Sequence, residues 1–162
     1  MIDAVKPKRP APAHPRPVCT CGSLRKASRR ISQFYDVALA PVGIKSTQYS
    51  ILSEVERGSA AGSVTMSELA ATMVMDRSTL GHNLRPLERD ELVILRLAQD
   101  DRRKRYVELT RRGRTRLQRA RRFWRRAEGR FEAIFGKEPA AELRVVLMNI
   151  ANNRDLNSQP VR

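Results

Sequence analysis

Arg77, Ser78, Thr79, His82, Asn83 and Arg85 fall within nine consecutive residues, and these are side chains that read and grip nucleic acid. Arginine pairs bidentately with guanine and asparagine with adenine, while hydroxyls and helix N-terminal amides hold phosphate oxygens. Ser67 joins this set from the preceding segment. Further on, Asp100 and Asp101 stand beside Arg102, Arg103, Lys104 and Arg105. An arginine on a narrow loop can enter the minor groove, where negative potential is concentrated. The ordinary alternatives are a solvated polar face and a solvated turn.

Other chemistries have little to work with. There is no Gly-rich phosphate loop and no plausible pair of catalytic carboxylates, and the only histidines are His14 and His82, so the chain does not read as an enzyme. Cys19 and Cys21, even with His14, lack the second ligand pair of a zinc module, and neither a metal nor a cofactor is expected. A C-x-C pair seldom forms a structural disulfide, because so small a loop strains the bond and removes little unfolded-state entropy. That usage suits a reducing, cytoplasmic compartment.

The formal net charge of +15 over 162 residues points to a polyanionic partner, nucleic acid first. No run approaches the roughly 18 consecutive apolar residues of a membrane span, so no membrane association is expected. Five prolines in the first seventeen residues make 1–17 a disordered basic arm. An RNA-binding protein would suit the arginine content but would carry aromatic sheet motifs for stacking unpaired bases.

The elements that position these residues show in the hydrophobic period. Leu24, Ala27, Ile31, Phe34 and Ala38 mark a first helix ended by Pro41 and Gly43. Ser46 is the expected cap of a second helix carrying Tyr49, Leu52 and Val55. Val64 and Thr65 suggest a short strand, and Ser67 the cap of a short helix from Glu68 to about Val74. Asp76 caps a further helix from about Arg77 to Asp90, buried along Leu80, Leu84 and Leu87 and expected to kink at Pro86. Two helices across a short turn have the spacing of a helix-turn-helix, with the second destined for the major groove.

The period then becomes two at Val93, Leu95 and Leu97 and again from Tyr106 to Leu109, which makes a hairpin with a polar tip. Thr110 caps a long helix whose apolar positions include Leu117, Ala120, Trp124, Ala127, Phe131 and Ile134, a seam that asks for a partner helix. Gly136 and Pro139 break it, and Leu143, Val146, Leu147 and Ile150 belong to a last helix. Nine arginines from Arg111 to Arg126 stud the long helix, either along a DNA backbone or as solvated flanks of the seam.

The segments SELAATMVMDRSTLGHNLRPLERDELV and DDRRKRYVELTRRG carry a resemblance. The first resembles the helix-turn-helix, and the second the wing, of the MarR family of transcriptional regulators, with Asp101, Arg103, Leu109, Thr110 and Gly113 on the wing pattern. The likeness spans about Cys19 to Asn152. It implies a mainly α fold with a small β-hairpin wing: a reading unit at about 64–110, dimerisation helices at about 18–40 and 111–152, and a flexible tail at 153–162. It also implies that Arg103 enters the minor groove while Asp101 holds the wing, and that the terminal helices form a homodimer on a palindromic operator in double-stranded DNA.

Leu24, Ile31, Leu117, Trp124, Phe131, Leu143, Leu147 and Ile150 would then lie in the dimer interface. Repression relieved by a small aromatic effector is the commoner family mode, and Ile31, Tyr35, Tyr49 and Leu52 would line its pocket unless they are plain core. Cys21 also stands relative to Ala27, Ser28 and Arg29 as the reactive cysteine does in the family's peroxide-sensing branch. Tyr35 matches one supporting tyrosine there, but Ser46 replaces the other. Arg25 and Lys26 would favour an oxidisable thiol.

Overall fold

The apolar period beginning at Leu24 becomes helix α1, Thr20–Leu39, in the computed structural model, which describes residues 19–59, 63–97 and 104–157. The arm at 1–17 and the wing-tip residues Asp101, Arg102 and Arg103 lie outside the described residues. Pro41 stops α1 in a 3-10 turn, Ala40–Val42. Gly43 closes it at φ 67°, a conformation that penalises a Cβ. Helix α2, Ser46–Ser59, buries Ile51, Leu52 and Val55.

Ser46 is the first residue of α2 and not its cap. Its N–H donates to Asp36 Oδ1 of α1 at 2.7 Å, and Lys45 N–H donates to Gln48 Oε1 at 2.8 Å. A carboxylate from the neighbouring helix therefore does the capping, which a local sequence pattern does not display. Burial works against ionisation of Asp36. The hydrogen bonds from Ser46 and the charge of Lys45 outweigh it and hold the carboxyl below its usual range.

Strand β1, Val64–Thr65, leads into α3, Met66–Thr72. Thr65, and not Ser67, is the cap. Its hydroxyl accepts from Glu68 N–H at 3.2 Å while the Glu68 carboxylate accepts from Thr65 N–H at 2.8 Å, a reciprocal capping box. Helix α3 closes with Val74 N–H donating to Ala71 O and Met75 N–H to Ala70 O. Val74 takes the left-handed position, φ 50°, that glycine usually fills.

Helix α4, Arg77–Arg89, starts at Asp76 as expected, buries Leu80, Leu84 and Leu87, and runs on through Pro86. It ends in the same closure, with Glu91 at φ 56°. Leu92 N–H donates to Leu87 O at 2.8 Å.

Strands β2, Val93–Leu97, and β3, Arg105–Leu109, pair antiparallel from Val93↔Leu109 to Leu97↔Arg105. Strand β1 covers the other edge of β3 through Val64↔Val107, so the hairpin is tied to the start of α3. Thr110 then caps α5, Arg111–Phe135. Its hydroxyl accepts from Gly113 N–H at 2.9 Å and donates to Glu91 O at 2.6 Å. Gly136, at φ 92°, separates α5 from α6, Lys137–Asn152. A further 3-10 turn, Arg154–Asn157, lies within the segment expected from sequence to be a flexible tail.

One core joins Leu39, Ile51, Leu52, Leu69, Leu80, Leu84, Leu87, Leu92 and Leu117. Leu117 is 0% exposed within its own chain, so it has no surface left for a second subunit and is not a dimerisation residue. The α5 seam is filled largely by α1 and α2 of the same chain. Ile134 and most of α6 are left out of that packing, with Leu143, Val145, Val146, Leu147, Met148 and Ile150 exposed.

Candidate nucleic-acid interface

The short turn closed by Val74 sets α4 against α3, and the capping of both helices fixes their N-termini. Ser67 on the first turn of α3, Arg77 at the start of α4, and Lys104 and Arg105 at the base of β3 line one cleft of about 440 Å³ with Ser63, Thr65, Met66, Glu68 and Tyr106. Four residues expected to bind DNA thus come together from three elements. Arg77, Lys104 and Arg105 are exposed and supply the positive charge. Glu68 is the acid among them, held ionised below its usual range by the hydrogen bonds from Thr65.

The hydroxyls at the head of α4 are engaged within the chain. Ser78 Oγ donates to Asp76 Oδ1 at 2.6 Å and Thr79 Oγ1 to Asp76 Oδ2 at 2.7 Å. A hydroxyl has one proton, so neither is free to donate to a phosphate in this arrangement. These bonds hold the Asp76 carboxyl far below its ordinary range, and its charge opposes phosphate at this helix end.

His82 and Arg85 are exposed, and the Arg85 guanidinium lies 3.4 Å from His82 Nδ1. Asn83 Nδ2 donates to Thr79 O at 2.9 Å. One N–H and the carbonyl oxygen of Asn83 remain available, the donor and acceptor that adenine requires.

A second concavity, of about 380 Å³, lies between α1, α2, α5 and α6. Ile31 and Tyr35 line it as expected, but Leu52 is fully buried in the core and cannot. Tyr49 stacks against Trp124 with ring centroids 4.3 Å apart, and Tyr35 stacks on the same indole at 4.2 Å. Trp124 and Phe131, assigned from sequence to a dimer seam, line this cavity.

Sequence reasoning missed Met73, Met75, Glu128 and Arg144 here. The signal was present in Glu128 and Glu132, which are the only acids among the arginines of α5. Tyr35 donates to Glu128, and Arg144 bridges Glu128 and Glu132 at 3.3 and 3.2 Å. Burial, reinforced by Glu128, pushes the Tyr35 phenol well up, so it remains a donor.

Cys19 and Cys21 are exposed and form no disulfide. Cys19 Sγ accepts from Gly22 N–H at 3.3 Å as the cap of α1. Among the described residues there is no cluster able to hold a metal ion, and no helix is long and apolar enough to cross a membrane.

A helix-turn-helix followed by a two-stranded wing tied to its first helix is a winged helix-turn-helix. Residues 42–104 match the model of the MarR family. The M. tuberculosis transcriptional regulator MosR in complex with DNA is 36% identical, with 83% of this chain and 94% of that chain covered at a TM-score of 0.73. The chain belongs to the MarR family, whose members are DNA-binding transcriptional regulators and not enzymes.

The repressor CouR bound to a 23-mer DNA duplex is 27% identical, with 82% of this chain and 92% of that one covered at a TM-score of 0.73. CouR from Rhodococcus jostii RHA1 bound to p-coumaroyl-CoA is 25% identical, with 83% and 92% covered at a TM-score of 0.69. Comparison with curated proteins gave no match.

Proposed function

We propose that the protein is a homodimeric, cytoplasmic repressor that reads a palindromic operator through α4 and the wing and leaves it when a small aromatic anion enters the cavity. The observation that carries the reading is the cleft in which Ser67, Arg77, Lys104 and Arg105 converge beside the exposed face of α4. The apolar surface of α6 supports the dimer, because a monomer seldom exposes so contiguous an apolar face. A two-fold dimer would place two reading helices on successive major grooves.

The cavity has the size of small-molecule sites. Its Tyr35, Trp124 and Phe131 side chains suit an aromatic ring, and Arg144 suits an anionic group. CouR, which binds p-coumaroyl-CoA, supports this class of effector. The test is footprinting on the DNA upstream of the protein's own gene at physiological salt, with the fluorescence of Trp124, the single tryptophan, followed during titration with aromatic carboxylates. Equal protection of random DNA would favour a non-specific nucleic-acid binder. Release without any change in indole emission would remove the cavity from the mechanism.

The two exposed thiols, neither in a disulfide, favour a second reading, oxidation sensing at Cys21. The thiolate would attack the terminal oxygen of an organic hydroperoxide and break its O–O bond, forming a sulfenic acid while the alkoxide takes a proton from water and leaves as the alcohol. If a Cys21→Ser protein is released from DNA by peroxide as readily as the wild type, that reading fails.

A further inference from the structure

The fold sorts the arginines of α5 into two groups. Arg112 pairs with Glu91 at 3.3 Å, Arg114 donates to Leu109 O at 2.9 Å, Arg116 donates to Val42 O at 2.6 Å, and Arg121 pairs with Glu56. Arg130 lies over the Phe34 ring, 5.8 Å from its centroid, and Arg125 is exposed and unpaired about 40° beyond Arg111 around the helix; Arg111, Arg119, Arg122 and Arg126 are likewise exposed and have no ion pair or hydrogen bond among the described residues.

At 3.6 residues per turn these four fall within an arc of about 80° and extend for about 22 Å along the axis. Trp124 and Phe131, which line the cavity, are on the opposite side of the helix. No acid of α5 offsets the stripe, because Glu128 and Glu132 both turn to Arg144. Near its upper end a cleft of about 450 Å³ is lined by Arg111, Arg112, Thr115, Arg116 and Arg119, with no carboxylate.

We infer that this stripe is a second DNA-binding surface, independent of sequence, which holds a duplex segment other than the one read by α4. A strand of B-DNA presents a phosphate about every 3.4 Å, so 22 Å of stripe faces roughly six of them. The residues interspersed on the same face are Thr115, Gln118 and Gly129. An anionic bilayer would call for large apolar residues interspersed among the cations; the apolar side chains near the stripe, Phe34, Val37 and Phe123, gather only at its Arg126 end.

The location separates the two surfaces. Helix α4 packs on α2, α3 and β2, whereas α5 packs on α1, α2 and α6 and also touches β3; the stripe starts at Arg111, two residues beyond β3, and runs away from the wing along α5 to Arg126. A dimer could hold its operator and a flanking or distant segment together, whatever the cavity binds.

The test uses the full chain bound to a short operator duplex that spans only the reading contacts, challenged with a second, labelled random duplex. Wild type should capture the second duplex in a salt-dependent manner. An Arg119→Gln/Arg122→Gln/Arg126→Gln protein should bind the short operator as wild type does, which shows it is folded. Its log–log salt dependence of capture should be shallower by about 2.7 per subunit, at roughly 0.9 per phosphate contact.

The control removes three paired cations outside the stripe and its cleft, Lys45→Gln/Arg57→Gln/Arg121→Gln, for the same change in net charge, and should capture as wild type does. Equal capture by the stripe variant, equal loss in both variants, or no capture by wild type would each overturn the inference. So would loss of binding to phosphatidylserine vesicles with DNA capture intact. If the short operator itself fails to bind, the reading of α4 falls, while capture on random DNA still reports on the stripe.

Discussion

Gly113→Ala provides a quantitative test of how the wing is anchored. An added Cβ would lie 1.9 Å from Leu92 O and 2.9 Å from Leu92 C, so the Leu92 carbonyl would have to recede by 1.1 Å to restore even a 3.0 Å contact. The obstacle is backbone, and it is pinned: Thr110 N–H donates to Leu92 O at 3.1 Å, and Leu92 joins α4 to β2. Overpacking costs about 1–3 kcal/mol, and a rigid backbone obstacle calls for the upper end.

Alanine recovers up to about 1 kcal/mol of helix propensity, which leaves a net loss of about 2 kcal/mol. That corresponds to a melting temperature lower by about 4–8 °C for a chain of this size. Gly129→Ala is the internal control, since nothing lies within 4 Å of its added Cβ. It should gain about 1 kcal/mol, raising the melting temperature by about 2–4 °C. Thermal denaturation of both proteins side by side decides the matter. If Gly113→Ala melts as high as Gly129→Ala, the close approach of α5 to Leu92 is refuted.

Val74→Gly should raise stability by up to about 1 kcal/mol in urea denaturation, because a β-branched residue at φ 50° is strained where glycine is not. Asp36→Asn should destabilise by about 1 kcal/mol at neutral pH. Because the folded carboxyl titrates below its usual range, its contribution is present above the unfolded value and is lost as pH falls through the folded one. Melting curves of wild type and the Asp36→Asn protein should therefore converge in acid, and a gap that widens there would contradict the capping role. Arg103→Ala should weaken operator binding by about 1–3 kcal/mol in fluorescence anisotropy, far more than Lys6→Ala. Equal effects would exclude the wing from recognition.

The helix-turn-helix and hairpin were legible because their signals are local. Asp76 and Thr110 are caps read directly from sequence, the Leu80, Leu84 and Leu87 stripe has helical period, and the period changes to two at Val93. Ser67 misled because Thr65 and Glu68 form the capping box just ahead of it, itself a T-x-x-E pattern open to view. The cap of α2 was not legible, since Asp36 reaches it from another helix. Seam residues such as Leu117 and Trp124 cannot be divided between core, cavity and partner by periodicity, because each demands the same apolar spacing. The engagement of Ser78 and Thr79 with Asp76 likewise depends on three-dimensional geometry.

Selection from a random duplex library at physiological salt, performed on wild type and Asn83→Ala, tests sequence reading by α4 most directly. Wild type should enrich a two-fold symmetric motif, and Asn83→Ala should lose about 1–3 kcal/mol of discrimination at one position in each half-site while retaining the rest. A wild type that enriches no motif, or a variant weakened uniformly at every position, would contradict base reading by α4.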